Sequence, residues 1–325
     1  NHNKSLDIAI KTIEEAKKAG ADAIKLQTYT ADTLTINSKK KDFIIDSGSI
    51  WDGKNYYQLY KEAYTPWEWH ETLFKCAKKN DLICFSTPFD FSSVDFLEKF
   101  NVPAYKVASF EITDIPLIDY ISKKNKPIIF STGIANESDI RLALDTSRNN
   151  NNDKIGLLKC TSSYPAPIDE ANLLMIKDYK DKFNVIPGLS DHTLGSIAPV
   201  VATTLGAKII EKHFIIDRKI GGPDSSFSMD KKEFKNMVES IRDAEKSIGN
   251  IDYKLTEKQL KGKNFSRSLY FVDDIKKDEI ISYKNVRSIR PGFGLHPKFL
   301  NQIIGKKINK SVKKGDRVKL SFIKN

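Results

Sequence analysis

The sequence predicts an α/β protein, a (β/α)8 TIM barrel followed by a small β-rich C-terminal domain, and three observations predict it. Seven short apolar, β-rich runs in the first three-quarters of the chain each finish on polar residues and lead into a helical segment. Alternation of strand and helix builds a parallel sheet. Two of the runs end in histidine, in Gly188-Leu189-Ser190-Asp191-His192-Thr193 and Ile209-Ile210-Glu211-Lys212-His213-Phe214. Parallel strands deliver their C-terminal ends to one rim, which is where a barrel carries its functional groups. A doubly wound open sheet is the alternative; no Gly-rich phosphate loop of the dinucleotide-binding type follows any run, which weakens it.

In chain order, Asn1-His2-Asn3-Lys4 lead directly into an amphipathic helix, with Leu6, Ala9, Ile10, Ile13 and Ala16 on one face and Gly20 as its stop. A barrel should begin with a strand, so these four residues read as a βα loop. An eighth strand, and any catalytic residue on it, is expected upstream, and the absence of an initiator Met agrees. Strands are expected at residues 23–27, 83–88, 104–109, 127–133, 155–161, 185–187 and 207–210, with a helix at 197–205 between the last two. Trp67 and Trp69, at i and i+2 of an expected helix, cannot share a face, so at least one belongs to the core. After a helix at 231–248 the pattern changes. Residues 249–265 lack strong periodicity and read as a linker, dividing a domain at 1–248 from one at 266–325. The second domain has β-like pieces at 268–272, 286–289 and 318–322, separated by turn signals at Asp273-Asp274, Pro291-Gly292 and Lys314-Gly315-Asp316. At about sixty residues it is near the lower limit of independent stability.

No apolar run approaches the about 20 residues needed to span a bilayer, so no membrane partner is expected and the cytoplasm is the default location. Cys76, Cys84 and Cys160 are odd in number and lack CxxC spacing, as befits reduced, mostly buried thiols. The net charge of +11 raises nucleic acid as a partner, but the lysines are dispersed and no binding motif surrounds them. The charge reads as a solvated basic surface that favours anionic substrates.

The two histidines can bind a divalent metal. Either alone reads more simply as a satisfied polar residue at a strand end. The pair favours function because Ser190, Asp191, Glu211 and Lys212 flank it, residues that a core does not need.

The series Ile24-Lys25-Leu26-Gln27-Thr28, Phe85-Ser86-Thr87-Pro88-Phe89, Lys106-Val107-Ala108-Ser109, Ser131-Thr132-Gly133, Cys160-Thr161-Ser162-Ser163-Tyr164-Pro165 and the two histidine motifs resembles the sialic acid synthase family, over nearly the whole chain. Arg267-Ser268-Leu269, Ile275-Lys276-Lys277-Asp278-Glu279, Arg290-Pro291-Gly292 and Gly305 look like the antifreeze-like (SAF) domain of those enzymes. The segments from Glu62 to His70 and from Gly221 to Ser228 are similar to the pseudaminic branch; Ser225 stands where sialic and legionaminic branches usually have His after the Pro-Asp pair.

The resemblance implies condensation of phosphoenolpyruvate with an open-chain acetamido hexose to a nine-carbon 2-keto acid and phosphate. In the pseudaminic branch the acceptor is a 2,4-diacetamido-2,4,6-trideoxy hexose of altrose configuration; the N-acetylneuraminate and legionaminate reactions are the alternatives within the family. Lys25, Thr87, Lys106, Ser109, Ser131 and Ser190 are then the phosphoenolpyruvate ligands, with Lys106 also catalytic, and Lys159 and Thr161 extend the set. A carboxylate and a phosphate need such converging cations and hydroxyls. A single strand-end lysine more often reaches for water, but six such groups at one end of successive strands are hard to assign to stability. His192 and His213 become catalytic metal ligands, for Mn2+ with Mg2+ or Co2+ as alternatives, and the ion polarises the sugar aldehyde. Mixed nitrogen and oxygen ligation with open positions suits such ions better than a closed zinc site. Gln27, Glu111, Tyr164, Glu211 and Asp224 match sugar-facing positions, although Asp224 could equally be a turn residue after Pro223. Arg290 resembles an arginine that the SAF domain inserts into the neighbouring subunit's barrel, implying a domain-swapped homodimer. The family's first-strand glutamate has no counterpart here. Outside the family, a Schiff-base aldolase with Lys106 or Lys159 as nucleophile, or an ice-binding or structural role for the C-terminal piece, remain as readings.

Overall fold

The computed structural model describes residues 1–46 and 48–324, which form two compact units, Asn1–Gly249 and Asn250–Asn325. In the first, α1 (Leu6–Lys18) is capped by Ser5, whose hydroxyl accepts from the Ile8 N–H. Seven strands follow: β1 (Ala23–Thr28), β2 (Ile83–Pro88), β3 (Tyr105–Val107), β4 (Ile128–Ser131), β5 (Ile155–Cys160), β6 (Ile186–Asp191) and β7 (Ile209–Lys212). Helices α2 (Ala31–Leu34), α3 (Tyr56–Ala63) and α4 (His70–Lys79) connect β1 to β2. Then α5 (Phe91–Glu98), α6 (Ile115–Ser122), α7 (Glu137–Asn149), α8 (Met175–Phe183), α9 (Ile197–Thr204) and α10 (Lys231–Ile248) follow successive strands. Capping boxes begun by Asp90, Asn136 and Asp230 start α5, α7 and α10, satisfying N–H groups that a helix terminus leaves open.

The strands pair in parallel in chain order from β1 to β7, as the strand–helix alternation predicts. No β7–β1 ladder closes the sheet among the described residues. The sheet curls nonetheless: Lys25 on the first edge and Glu211 on the last are joined by a 2.8 Å ion pair. The expected eighth strand concerns positions before Asn1.

Alternation sorts each strand's side chains. Tyr105, Val107, Ile128, Phe130, Ile155 and Leu157 face out and pack with Leu97, Ile118, Ile121 and Leu144 of the surrounding helices in the main core. Ile24, Leu26 and Cys84 do the same against α1 and α4, and Leu189 against α9. The intervening residues therefore face the concave side, and it is they that end in Lys106, Ser131 and Ser190. Gly188 is required where β6 meets β7, since a Cβ there would lie 2.5 Å from the Ile209 carbonyl oxygen.

Trp67 and Trp69 lie in a 3-10 turn ahead of α4. Trp67 stacks on Phe96 at 4.6 Å, and Trp69 packs into the α1–α4 core. The cysteines are free, Cys84 and Cys160 buried. No helix among the described residues is long and apolar enough to cross a membrane.

In the second unit, α11 (Glu257–Gly262) forms within the stretch read as a linker, where Thr256 caps it. Strands β8 (Ser268–Phe271) and β9 (Val286–Ile289) pair antiparallel over a core of Leu269, Phe271, Ile281, Ile303, Ile308 and Val318, and α12 (Leu300–Ile303) supplies part of it. The third β-like piece is not a strand. Arg317 makes a single bridge to Tyr270 and the Val318 N–H bonds the Leu269 carbonyl, but Leu320–Phe322 turn as a 3-10 helix.

Candidate active site

The concave face and strand ends of the first unit, together with parts of α1 and α10 beside the open sheet edges, line a cavity of about 1600 Å3. At its centre Glu211 of β7 accepts from Lys25 Nζ at 2.8 Å and from Ser190 Oγ at 3.0 Å, with Lys106 Nζ 4.0 Å away. Lys106, 1% exposed, donates to Ser131 Oγ at 2.6 Å and to the Val107 carbonyl at 2.9 Å. Burial draws the Lys106 amine down to about 8 despite the opposing pull of Glu211. Burial alone would raise the Glu211 carboxyl, but Lys106, Lys25 and the hydroxyl of Ser190 outweigh it and hold it well below the carboxylate range. Two cations thus share one internal carboxylate, leaving net positive charge in a low-dielectric site for an incoming anion.

Hydroxyls and a backbone donor ring this centre. The Gly133 N–H donates to Ser109 Oγ at 3.1 Å. A Cβ on Gly133 would come within 1.9 Å of Ser162 Oγ and 2.7 Å of Ser109 Oγ, so a larger residue there would displace these hydroxyls. Thr87, on the concave face of β2, is fully buried with no hydrogen-bond partner for its hydroxyl in the described structure. It is absent from the cavity wall that the other candidate phosphoenolpyruvate ligands share, so the structure does not bring Thr87 into their set.

Beside the cations stand the two imidazoles, their ring centroids 5.2 Å apart. His192 Nδ1–H donates to the Thr161 carbonyl at 2.9 Å; because a carbonyl can only accept, the proton is on Nδ1, and in the neutral ring Nε2 presents a lone pair, although Cys160 and that carbonyl outweigh burial and raise the His192 pKa. His213 Nδ1 faces the Asp224 carboxylate at 3.4 Å, which selects the same tautomer. Burial lowers the His213 pKa against the opposing effect of Asp224, favouring the neutral ring that a cation requires. Oxygen acceptors on the far nitrogens are the usual support of metal-binding histidines. No cluster of three or more His, Cys, Asp or Glu able to hold a metal occurs among the described residues, so an ion held by the pair would have to take its remaining ligands from water and substrate oxygens. The Tyr164 ring lies 4.4 Å from His192, and Phe227 lies 5.0 Å from His213.

The profile of the NeuB family matches residues 12–253, and that of the SAF domain matches residues 266–324. The chain belongs to the NeuB family. It is 50% identical to a pseudaminic acid synthase of Campylobacter jejuni, over 98% of this chain and 93% of that one. With a pseudaminic acid synthase of Helicobacter pylori it shares 46% identity over 96% and 92% of the two chains. The crystal structure of the N-acetylneuraminic acid synthetase of Leptospira borgpetersenii, in complex with citrate, superposes with a TM-score of 0.71 at 29% identity, covering 81% of this chain and 86% of that one.

In this NeuB-family chain Lys25, Lys106, Ser109, Ser131, Ser190, His192 and His213 all line the one cavity, and so do Gln27, Glu111, Tyr164 and Asp224. Glu211, expected to face the sugar, lines this cavity too and is also the counter-ion of the lysines. The Glu111 carboxyl is pushed up to about 7 by burial, against Lys106, and one of its oxygens has no hydrogen-bond partner in the described structure. Lys159 and Thr161 do not join the set. They share the parity of Ile155 and Leu157, which face the helices, and Lys159 Nζ turns back to the Cys160 carbonyl. Thr161 contributes its carbonyl to His192 instead. Arg290 is exposed at the end of β9 in the second unit. Sequence reasoning missed Trp51, whose ring lies 5.4 Å from Tyr164. Its signal was a tryptophan in a polar, Gly-rich loop, where no core requires one.

Proposed function

We propose that the chain catalyses the pseudaminic acid synthase reaction, condensing phosphoenolpyruvate with a 2,4-diacetamido-2,4,6-trideoxy hexose of altrose configuration and water. It is a C–C bond-forming transferase: C3 of phosphoenolpyruvate bonds to the aldehyde carbon, water adds at C2, and phosphate leaves with the C2–O bond, giving a nine-carbon 2-keto acid. The observation that carries this reading is the pairing of Lys25 and Lys106 over Glu211, ringed by Ser109, Ser131 and Ser190, immediately beside His192 and His213. One half suits a dianionic phosphoester and the other a carbonyl oxygen. The identity with two pseudaminic acid synthases, and Ser225 after Pro223-Asp224, support the acceptor.

In this mechanism Lys25, Lys106 and the hydroxyls bind the carboxylate and phosphate, while Glu211 keeps both lysines aimed when the site is empty. His192 and His213 would hold a divalent ion, Mn2+ in our reading, through their Nε2 atoms. When bound, such an ion supplies Lewis-acid polarisation of the aldehyde oxygen. Glu111, poised near 7, can hold or release a proton at neutral pH. Tyr164 and Asp224 border the acceptor, and Asp224 also orients His213. The cytoplasm is the location this reading supports.

A phosphate-release assay with phosphoenolpyruvate and a panel of 2-acetamido and 2,4-diacetamido hexoses tests the proposal. The diacetamido trideoxy altrose should be preferred; a clear preference for N-acetylmannosamine would reject the acceptor. A Schiff-base aldolase is the second reading, favoured by the lowered Lys106 amine. It requires turnover that survives chelation and borohydride inactivation in the presence of substrate.

Arg290 is proposed to reach the acceptor in a domain-swapped homodimer. Arg290→Ala should raise KM for the sugar far more than for phosphoenolpyruvate. Mixed with His192→Ala subunits it should regain partial activity, because one site of the heterodimer is then intact. No complementation after verified subunit exchange would reject the swap.

A further inference from the structure

We infer that Trp51 is a specificity residue, the apolar wall that recognises the N-acyl group on the carbon next to the reacting aldehyde. The inference rests on the proposed reaction and deepens it. Trp51 sits in the connection between β1 and α3, which folds back on itself. Ile44 bridges Asn55, the Ile45 N–H donates to the Lys54 carbonyl at 2.9 Å, and the Asp52 carboxylate accepts from the N–H groups of Gly48 and Ser49 at 2.9 Å each. A loop held by its own backbone bonds presents its side chain in a defined place.

The indole Nε1–H donates to the Pro223 carbonyl at 3.2 Å, one residue before the Asp224 that faces His213. That bond consumes the only polar group of the ring, so what Trp51 offers to a ligand is an apolar face. Its ring meets Tyr164 at 5.4 Å and Phe227 at 6.4 Å, and Tyr164 meets Phe227 at 5.1 Å. Phe227 is 2% exposed and backs the group, whereas Trp51 and Tyr164 line the cavity. The three rings thus form one panel whose inner members touch both imidazoles.

The cations and hydroxyls at the centre serve the phosphoester, and apolar side chains such as Phe85 and Phe89 line other parts of the cavity. An acceptor whose aldehyde carbon approaches His192 and His213 brings the substituent of the adjacent carbon, one bond away, against this panel. For the proposed sugar that substituent is an acetamido group: its flat amide can lie on an aromatic face, and its methyl gains only where water is excluded. A hydroxyl there would be desolvated against three rings without a partner.

The test compares two acceptors that differ by one methyl, the 2-N-acetyl sugar and its 2-N-formyl analogue, in the full-length enzyme. Wild type should prefer the acetyl form by about tenfold or more in kcat/KM, the discrimination that a methyl in a fitted apolar pocket provides. Trp51→Phe should keep most of that preference. Trp51→Ala should bring the ratio to within about twofold of unity while KM for phosphoenolpyruvate stays unchanged. Should the alanine variant fail to fold, Trp51→Gln, similar in reach but polar, provides the same comparison. An unchanged acetyl-to-formyl ratio in an active Trp51→Ala or Trp51→Gln enzyme overturns the inference and leaves the reaction standing. Wild type that releases phosphate with neither sugar overturns the reaction, and the inference falls with it.

Discussion

Replacing Lys106 by Met should lower kcat/KM for phosphoenolpyruvate by about a hundred- to a thousandfold, the usual loss when one preorganised donor to a developing anion is removed. KM for the sugar should move little. The variant should fold, because Glu211 keeps Lys25 at 2.8 Å and Ser190 at 3.0 Å, and Met fills the volume of the buried stem without a charge to satisfy. The same residue sets a pH limit. With its amine drawn down to about 8, Lys106 is charged below that pH and neutral above it. The profile of kcat/KM for phosphoenolpyruvate should therefore fall as pH rises through about 8, and the Met variant should lose that limb. Linkage provides an independent check. Between about 8 and the ordinary lysine value of 10.5 the unfolded chain binds the Lys106 proton and the native chain does not, so this group makes native stability rise with pH across that window. Denaturant titrations of wild type and Lys106→Met at pH 8 and 10 measure the difference. A wild-type profile flat to pH 10, with an active Met variant, would remove Lys106 from the site.

Much of the site was readable in the sequence because a strand has a period of two. Once Val107 and Phe130 are assigned to the helix-facing core, Lys106 and Ser131 must face the other way, and the same holds for Ser190 beside Leu189. Parity would also have excluded Lys159, which shares a face with Ile155 and Leu157. What was not readable depends on contacts that cross the curled sheet. Lys25 and Glu211 are 186 residues apart and lie on opposite edges; nothing local to either motif says that one neutralises the other. The ion pair of Glu211 was therefore not foreseen, whatever its place toward the sugar. Trp51 was hidden for a different reason: its loop has no periodicity, and its position follows from a few backbone bonds and the carboxylate of Asp52 rather than from a pattern of apolar residues. In the C-terminal unit, residues 318–322 alternate like a strand, yet after Val318 the chain leaves Leu269, turns as a 3-10 helix and pairs with Ile308 and Asn309 instead.

His192→Ala and His213→Ala should each cut turnover by on the order of a thousandfold or more, since Lewis-acid stabilisation of an alkoxide accounts for several kcal/mol of barrier and each 1.36 kcal/mol is tenfold in rate. Phosphoenolpyruvate binding should survive, because the lysines, Ser131 and Ser190 hold the anion without either imidazole. That separation distinguishes loss of an ion from collapse of the site. Calorimetry of Mn2+ binding should show a large loss of affinity in both variants, with the Kd for phosphoenolpyruvate within about threefold of wild type, a margin of about 0.65 kcal/mol. The two histidines need not contribute equally. His192 is fixed by a 2.9 Å bond to a backbone carbonyl that no side-chain substitution removes, whereas His213 depends on Asp224 at 3.4 Å, in a loop that also meets Trp51. Asp224→Asn in an otherwise intact site should thus lower metal affinity by about ten- to a hundredfold, the range for lost support of a ligating imidazole, and act through His213 alone. Full activity of either histidine variant in the presence of chelator would sink the assignment of both as metal ligands.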